Sequence, residues 1–130
     1  MDGAALLKKL QIKPGARLTL IGAPVEIEEA LGQFVALTTP DQPRDAALAF
    51  CNSPEDVDRL APQAMAGLAD DGSLWFAYRK GAATKQSGLS RDVGWAPLNR
   101  AGYRPVRAIA FDDVWSGLRF RETWRVKSQD

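Results

Sequence analysis

The sequence contains no histidine. That absence excludes Ser-His-Asp and Cys-His nucleophile systems, imidazole acid–base catalysis and histidine-ligated zinc together. Cysteine is nearly as scarce. Cys51 stands alone, so no intrachain disulfide can form, which suits a reducing compartment. No apolar run approaches the roughly 20 residues of a membrane-spanning helix. The amino-terminal MDGAALLKKL carries an acid at Asp2 and only a short apolar stretch, unlike a secretory signal. A cytoplasmic protein without membrane contact is therefore expected. Internal repeats, low-complexity tracts and dividing linkers are also lacking.

What remains is the composition of an ordinary globular protein. With 45% apolar and 25% charged residues, disordered and fibrous classes are excluded. A length of 130 residues suits one domain spanning the whole chain and can bury a core without staples. The net charge of +1 conceals an asymmetry. Up to Tyr78 there are six Lys/Arg against eleven Asp/Glu, and from Arg79 onward eleven against five. A basic carboxy-terminal part fits an anionic ligand or partner, or equally two oppositely charged faces that keep the protein soluble.

Periodicity and punctuation then place the elements. Asp2 caps a first helix with Leu6, Leu7 and Leu10 on one face. The turn Lys13-Pro-Gly15 leads into a strand over 17–21. Gly22-Ala-Pro24 breaks that strand and opens a helix with Pro24 at its first position, striped by Ile27, Ala30 and Leu31 and ended by Gly32. Phe34 to Leu37 reads as a second strand, and Ala46 to Cys51 as a buried third. Ser53-Pro54-Glu55-Asp56 starts a helix whose apolar series is Val57, Leu60, Ala61, Ala64 and Leu68, with a kink, or two short helices end to end, expected at Pro62. Asp71-Gly72 turns into a fourth strand, Leu74 to Tyr78. A glycine- and lysine-containing loop, 79–89, precedes a helix from about Ser90 to Ala101. Val106 to Phe111 and Gly117 to Val126 are the last strands, joined too briefly for a helical crossover and so antiparallel. Strands alternating with helices give an α/β fold. The expectation is a three-layer Rossmann-like domain with a mostly parallel sheet of about six strands and a carboxy-terminal antiparallel pair.

Lys13-Pro-Gly15 before the 17–22 segment, and Leu68-Ala-Asp-Asp-Gly72 before the 74–78 strand, resemble the turn-and-strand openings of class I methyltransferases. The terminal antiparallel pair is similar to that fold's last two strands. A second resemblance is to a family of small bacterial proteins of unknown function, with a methyltransferase-like fold. It rests on Tyr78-Arg-Lys80, on Ser87-Gly-Leu-Ser-Arg-Asp-Val-Gly-Trp95, on Asp112-Asp-Val-Trp115 and on Leu118-Arg-Phe-Arg121. The methyltransferase resemblance implies a glycine-rich first loop and an acid ending the second strand to hold the cofactor ribose. This chain departs at both places. Its first loop has one glycine followed by a proline, and its second strand ends at Thr38-Thr39-Pro40, with Asp41 beyond. The length also leaves out about one strand–helix unit.

Ligands of open α/β sheets sit outside the carboxyl ends of the parallel strands. The candidate site there is Lys80, Lys85, Ser87, Gly88, Ser90 and Arg91, where cations flank glycines and hydroxyls before a helix, a pattern suited to phosphate or carboxylate. The alternative is a solvated loop with Ser90 as an ordinary cap. No GxxxxGK[ST] phosphate loop exists. Cys51 could gain reactivity from the following helix but is more simply a core residue. Trp75 and Trp95 are assigned to the core, while Trp115 and Trp124 are left free to face a partner. In the terminal strand Leu118, Phe120, Trp124 and Val126 alternate with Arg119, Arg121, Arg125 and Lys127, either a phosphate-neutralising row or the charged protection of an edge. Asp112 and Asp113 read as turn caps, not a metal site. The expectation is a non-catalytic binding module for a small anion or acidic partner, with no resident cofactor, metal or catalytic residue assigned. The alternatives are a reduced methyltransferase-like enzyme with a nucleotide-type cofactor near Gly22 and Ser53, and a nucleic-acid or protein interaction domain using the basic terminal strand. The oligomeric state stays open.

Overall fold

The structure is a computed structural model that describes residues 1–81 and 88–126. Its centre is a six-stranded sheet in the order β2-β1-β3-β4-β6-β5. The strands are β1 (Arg17–Ile21), β2 (Ala36–Thr38), β3 (Arg44–Phe50), β4 (Leu68–Arg79), β5 (Tyr103–Ala110) and β6 (Trp115–Glu122). β1 to β4 run parallel, β6 pairs antiparallel with β4, and β5 pairs antiparallel with β6. The α/β sheet and its terminal antiparallel pair are those expected.

Two apolar layers cover the sheet. On one face α1 (Gly3–Leu10) and α2 (Val25–Gly32) bury Leu6, Leu7, Leu10, Ile27 and Leu31 against Leu18, Leu48, Phe50 and Trp75. On the other, α3 (Pro54–Met65) and the short α4 (Ala96–Arg100) press Val57, Leu60, Ala64 and Leu98 onto Ala47, Ala49, Leu74, Phe76 and Phe120. Asp2 and Ser53 cap their helices as expected, accepting from the Ala5 and Asp56 amides at 3.1 and 3.2 Å. Pro24 is the N-cap of α2, one position earlier than its expected place. β2 lies over Ala36–Thr38, leaving Phe34 outside it.

Five departures stand out. α3 runs through Pro62 without dividing, because Pro62 is exposed near the helix end, where few later turns depend on it. Leu68 is not its last apolar residue but the first of β4. Asp71-Gly72 does not precede β4; it lies inside it. Arg44 pairs with Leu68 and Ala46 with Ser73, so the intervening β4 residues bulge outward, with Asp71 at φ +52°. The helix expected from Ser90 begins only at Ala96. Residues 91–94 form bends, and Pro97 sits at the start of α4, where its missing N–H costs nothing. Finally, β6 stops at Glu122 and passes into a 3₁₀ turn, Thr123–Arg125. The alternation expected through Val126 is lost there, and Trp124 is left exposed. β6 is an interior strand, so the edge-protection reading of its arginines falls; the edge is β5.

Candidate functional site

The parallel strands deliver Gly22, Asn52 with Ser53, and Lys80 to the carboxyl end of the sheet. Gly22 follows β1 with φ +70°, which admits glycine readily, and a Cβ there would come within 3.4 Å of the Phe50 carbonyl oxygen. Gly88 closes in from the far side of the 79–89 loop. A Cβ on it would meet Pro54 Cδ at 3.3 Å, so the loop returns directly onto the start of α3. Gly22, Ser53, Lys80 and Gly88 thus share one edge. Lys85 and Ser87 lie outside the described residues.

Much of this edge is satisfied internally. Arg79 Nε donates to Asn52 Oδ1 at 3.2 Å while its guanidinium stacks over Trp115, 4.9 Å from the ring centroid. The Asn52 amide donates to Asp56 Oδ2 at 2.8 Å, and Asp56 also accepts from Arg59 at 2.8 Å. These bonds, led by the one from Arg59, hold the Asp56 carboxyl below its ordinary range. Ser90 does not cap a helix. Its amide donates to the Val93 carbonyl, and its own carbonyl accepts from Trp95 Nε1 at 2.7 Å. Arg91 lies close enough to Tyr78 to oppose the rise that burial imposes on the phenol. Together with Asp92, Pro105, Val106, Arg107, Ala108 and Leu118 it lines a hollow of about 410 Å³. Among the described residues, neither Lys80 nor Arg91 has a carboxylate partner.

Cys51 is fully buried at the end of β3. Burial, reinforced by the Asp56 charge, pushes its thiol up to about 12. That is a core cysteine, not a nucleophile. No group of metal-ligating side chains occurs among the described residues, and no helix there is long and apolar enough to cross a membrane. Asp112 caps a turn, accepting from the Val114 and Trp115 amides at 2.8 Å. Trp115 is buried edge-to-face against Phe50 rather than turned toward a partner.

No family model matches the chain, and no curated protein matches it. Solved structures do. NodS, an N-methyltransferase from Bradyrhizobium japonicum, superposes with a TM-score of 0.55 at 12% identity, over 92% of this chain and 93% of its own. Fibrillarin from Aeropyrum pernix, solved with natively bound S-adenosyl-L-methionine, gives 0.54 at 16% identity, over 91% and 73%. Methanococcus jannaschii fibrillarin, a pre-rRNA processing protein, gives 0.53 at 12%, over 88% and 69%. The fold is that of the class I methyltransferases. It is shortened, with six strands in the sheet.

The cofactor that fold implies does not fit the residues present. After Gly22, Pro24 brings no N–H to the start of α2. The end of β2 offers no free carboxylate. Thr38 Oγ1 is bonded to Thr19 Oγ1 at 2.7 Å, and Asp41 is held by the Thr39 hydroxyl. Ser53 is spent as the cap of α3.

Proposed function

We propose that this protein is a non-catalytic binding module on a shortened methyltransferase-like scaffold, taking a small anionic ligand at the carboxyl edge of its sheet. The observation that supports this reading is the pair of unpaired cations, Lys80 and Arg91, beside an edge whose other polar groups already satisfy one another. Gly88 approaches Pro54 at the start of α3, and Lys85 and Ser87 lie close to it in sequence. The Asp56 amide in α3 is engaged by Ser53, and the Asn52 amide just before the helix by Asp56, so side-chain cations supply the attraction for the anion.

Titration of ¹⁵N-labelled protein tests this reading. Inorganic phosphate is expected to shift the amides of Gly81, Gly88 and Arg91, and Arg91→Ala to weaken that response about tenfold or more, the usual worth of a charge-assisted bond. S-adenosylmethionine is expected to shift nothing. Saturable shifts at Gly22 and Ser53 on adding S-adenosylmethionine would instead establish the enzyme-like alternative.

A further inference from the structure

A second concentration of charge lies on the β5–β6 pair and adjoins the first, because Arg107 lines the same hollow as Arg91. Register fixes its members. Arg119 pairs across β4–β6 with Trp75 and across β5–β6 with Arg107, and Arg121 pairs with Arg104. Cross-strand partners share a face, so four arginines stand on two adjacent strands, with Arg119 the neighbour of Trp75. Arg104 and Arg107 are three residues apart and would point to opposite faces of a regular strand. The bulge at Val106 brings them to the same one.

Charge on this face is unequally compensated. Arg121 is held by Asp71, at 3.1 and 2.6 Å. Arg125, just beyond, is held by Asp70 at 2.5 Å and Glu122 at 3.1 Å. Arg104, Arg107 and Arg119 have no carboxylate partner among the described residues. Arg119 is the half-buried member, and its Nε is enclosed with no acceptor. Across the strand from it, the fully buried Trp75 also lacks an acceptor for its Nε1–H. Burial, with Arg121 and Arg107 adding repulsion, makes the Arg119 charge harder to hold, and Asp71 acts against that. Enclosed donors without acceptors and a half-buried, unpaired cation are each destabilising, and such a deficit marks a place where an ion or water belongs.

We propose that Arg107 and Arg119, with Arg104 and Arg121 one step further along the strands, form a binding site for phosphate groups. The two arginine pairs are two residues apart along β6, about 7 Å, so the site presents two successive anchoring points. That arrangement suits a ligand with more than one phosphate: a free diphosphate or consecutive phosphodiesters of a single-stranded nucleic acid. Arginine is suited to either, because its planar fork meets phosphate oxygens two at a time.

The Trp75 indole N–H reports on the Arg119 part of the cluster, apart from Arg91, whereas Arg107 is shared with the Arg91 hollow. In a ¹⁵N titration of the intact chain, pyrophosphate is expected to shift the Trp75 indole and Arg119 Nε resonances. Trp75→Phe assigns the indole peak. Arg107→Ala, at an exposed position on the edge strand where folding is not at stake, should lower the affinity about tenfold or more, whereas Arg91→Ala should leave these shifts intact. A short single-stranded oligonucleotide is the second arm. If it shifts the same resonances, with an affinity that falls as salt rises, the phosphates belong to nucleic acid; if only pyrophosphate does, they belong to a small molecule. Trp75 and Arg119 resonances unmoved by both probes would overturn the proposal, as would full retention of affinity in Arg107→Ala. Loss of the Gly88 and Arg91 shifts alone would count against the carboxyl-edge reading and leave this one standing.

Discussion

Cys51 and Arg44 show how differently two buried residues disclose themselves in sequence. Cys51 ends a run of small and apolar residues, so its place in the core is readable from its neighbours. Its thiol, raised from an ordinary value of 9.0 to about 12, stays protonated in the native protein. Because the folded value lies above the unfolded one, the associated stability is complete below about pH 9 and is lost as pH rises toward 12. The native protein should therefore resist iodoacetamide near neutral pH and react once unfolded in urea; prompt alkylation of native protein would contradict the burial. Arg44, by contrast, sits in what reads as a polar loop and gives no hint of being only 1% exposed. Its guanidinium donates to the carbonyls of Pro40, Gln42 and Gln63, tying the β2–β3 connection to the end of α3. A charge held by backbone carbonyls, one of them nineteen residues away on α3, has no signature in side-chain type or spacing. Arg44→Met keeps much of the volume but leaves these carbonyls without donors, and should cost about 2–4 kcal/mol by urea denaturation. A loss near zero would mean that water replaces the guanidinium without penalty.

Helices with side-chain caps were legible because the cap is a local interaction: Asp2 and Ser53 lie within three residues of the amides they accept from. Elements whose limits depend on distant partners were not. The β4 bulge exists because Arg121 of β6 holds Asp71, fifty residues away. β6 ends where Arg125 turns back to Asp70 and Glu122 instead of continuing its alternation. At the candidate edge, sequence expects Gly22, Ser53, Lys80 and Gly88 together, since strand ends converge in any parallel sheet. It misplaced Ser90, because α4 starts where Pro97 permits and not where a serine could cap. The α1–α2 contact supplies a sharper test of packing against propensity. Alanine is the better helix former by about 1 kcal/mol, so Gly3→Ala should stabilise α1 in isolation. In the fold, however, a Cβ at Gly3 would lie 2.0 Å from the Ala30 carbonyl oxygen, a backbone atom that cannot swing aside. Overpacking of this kind typically costs about 1–3 kcal/mol. The variant is expected to lower Tm while a peptide of α1 carrying it gains helicity by circular dichroism; an unchanged Tm would mean that the two helices can separate freely.

The two oppositely charged parts of the chain meet in the folded molecule. Acids of the first part, Asp70 and Asp71 on the β4 bulge, receive Arg125 and Arg121 of the second. Much of the asymmetry is thus internal complementarity along the β4–β6 seam, and what is left uncompensated among the described residues collects on Arg104, Arg107 and Arg119 of β5 and β6 and on Lys80 and Arg91, with Arg91 and Arg107 lining one hollow. The paired carboxylates also set the response to acid. Asp71 is held below its ordinary value of 3.8 mainly by the bond from Arg121, Asp45 by its bonds from Arg17, and Asp56 by those from Arg59 and the Asn52 amide. Each folded value lies below the unfolded one, so the stability these groups supply is present above 3.8 and is lost as pH falls through the folded values. All three are solvent-accessible to some degree, so screening keeps the individual contributions small and salt should weaken them further. Urea denaturation at about pH 7, pH 4 and pH 2.5 should show stability roughly level over the first interval and falling over the second. Asp71→Asn removes one titrating partner of the seam. It should start less stable at neutral pH and lose less between pH 4 and pH 2.5, so that the two proteins converge in acid. Parallel curves that keep their separation would show that Asp71 stabilises through the shape of the bulge alone, with its charge contributing nothing to the join between the two parts.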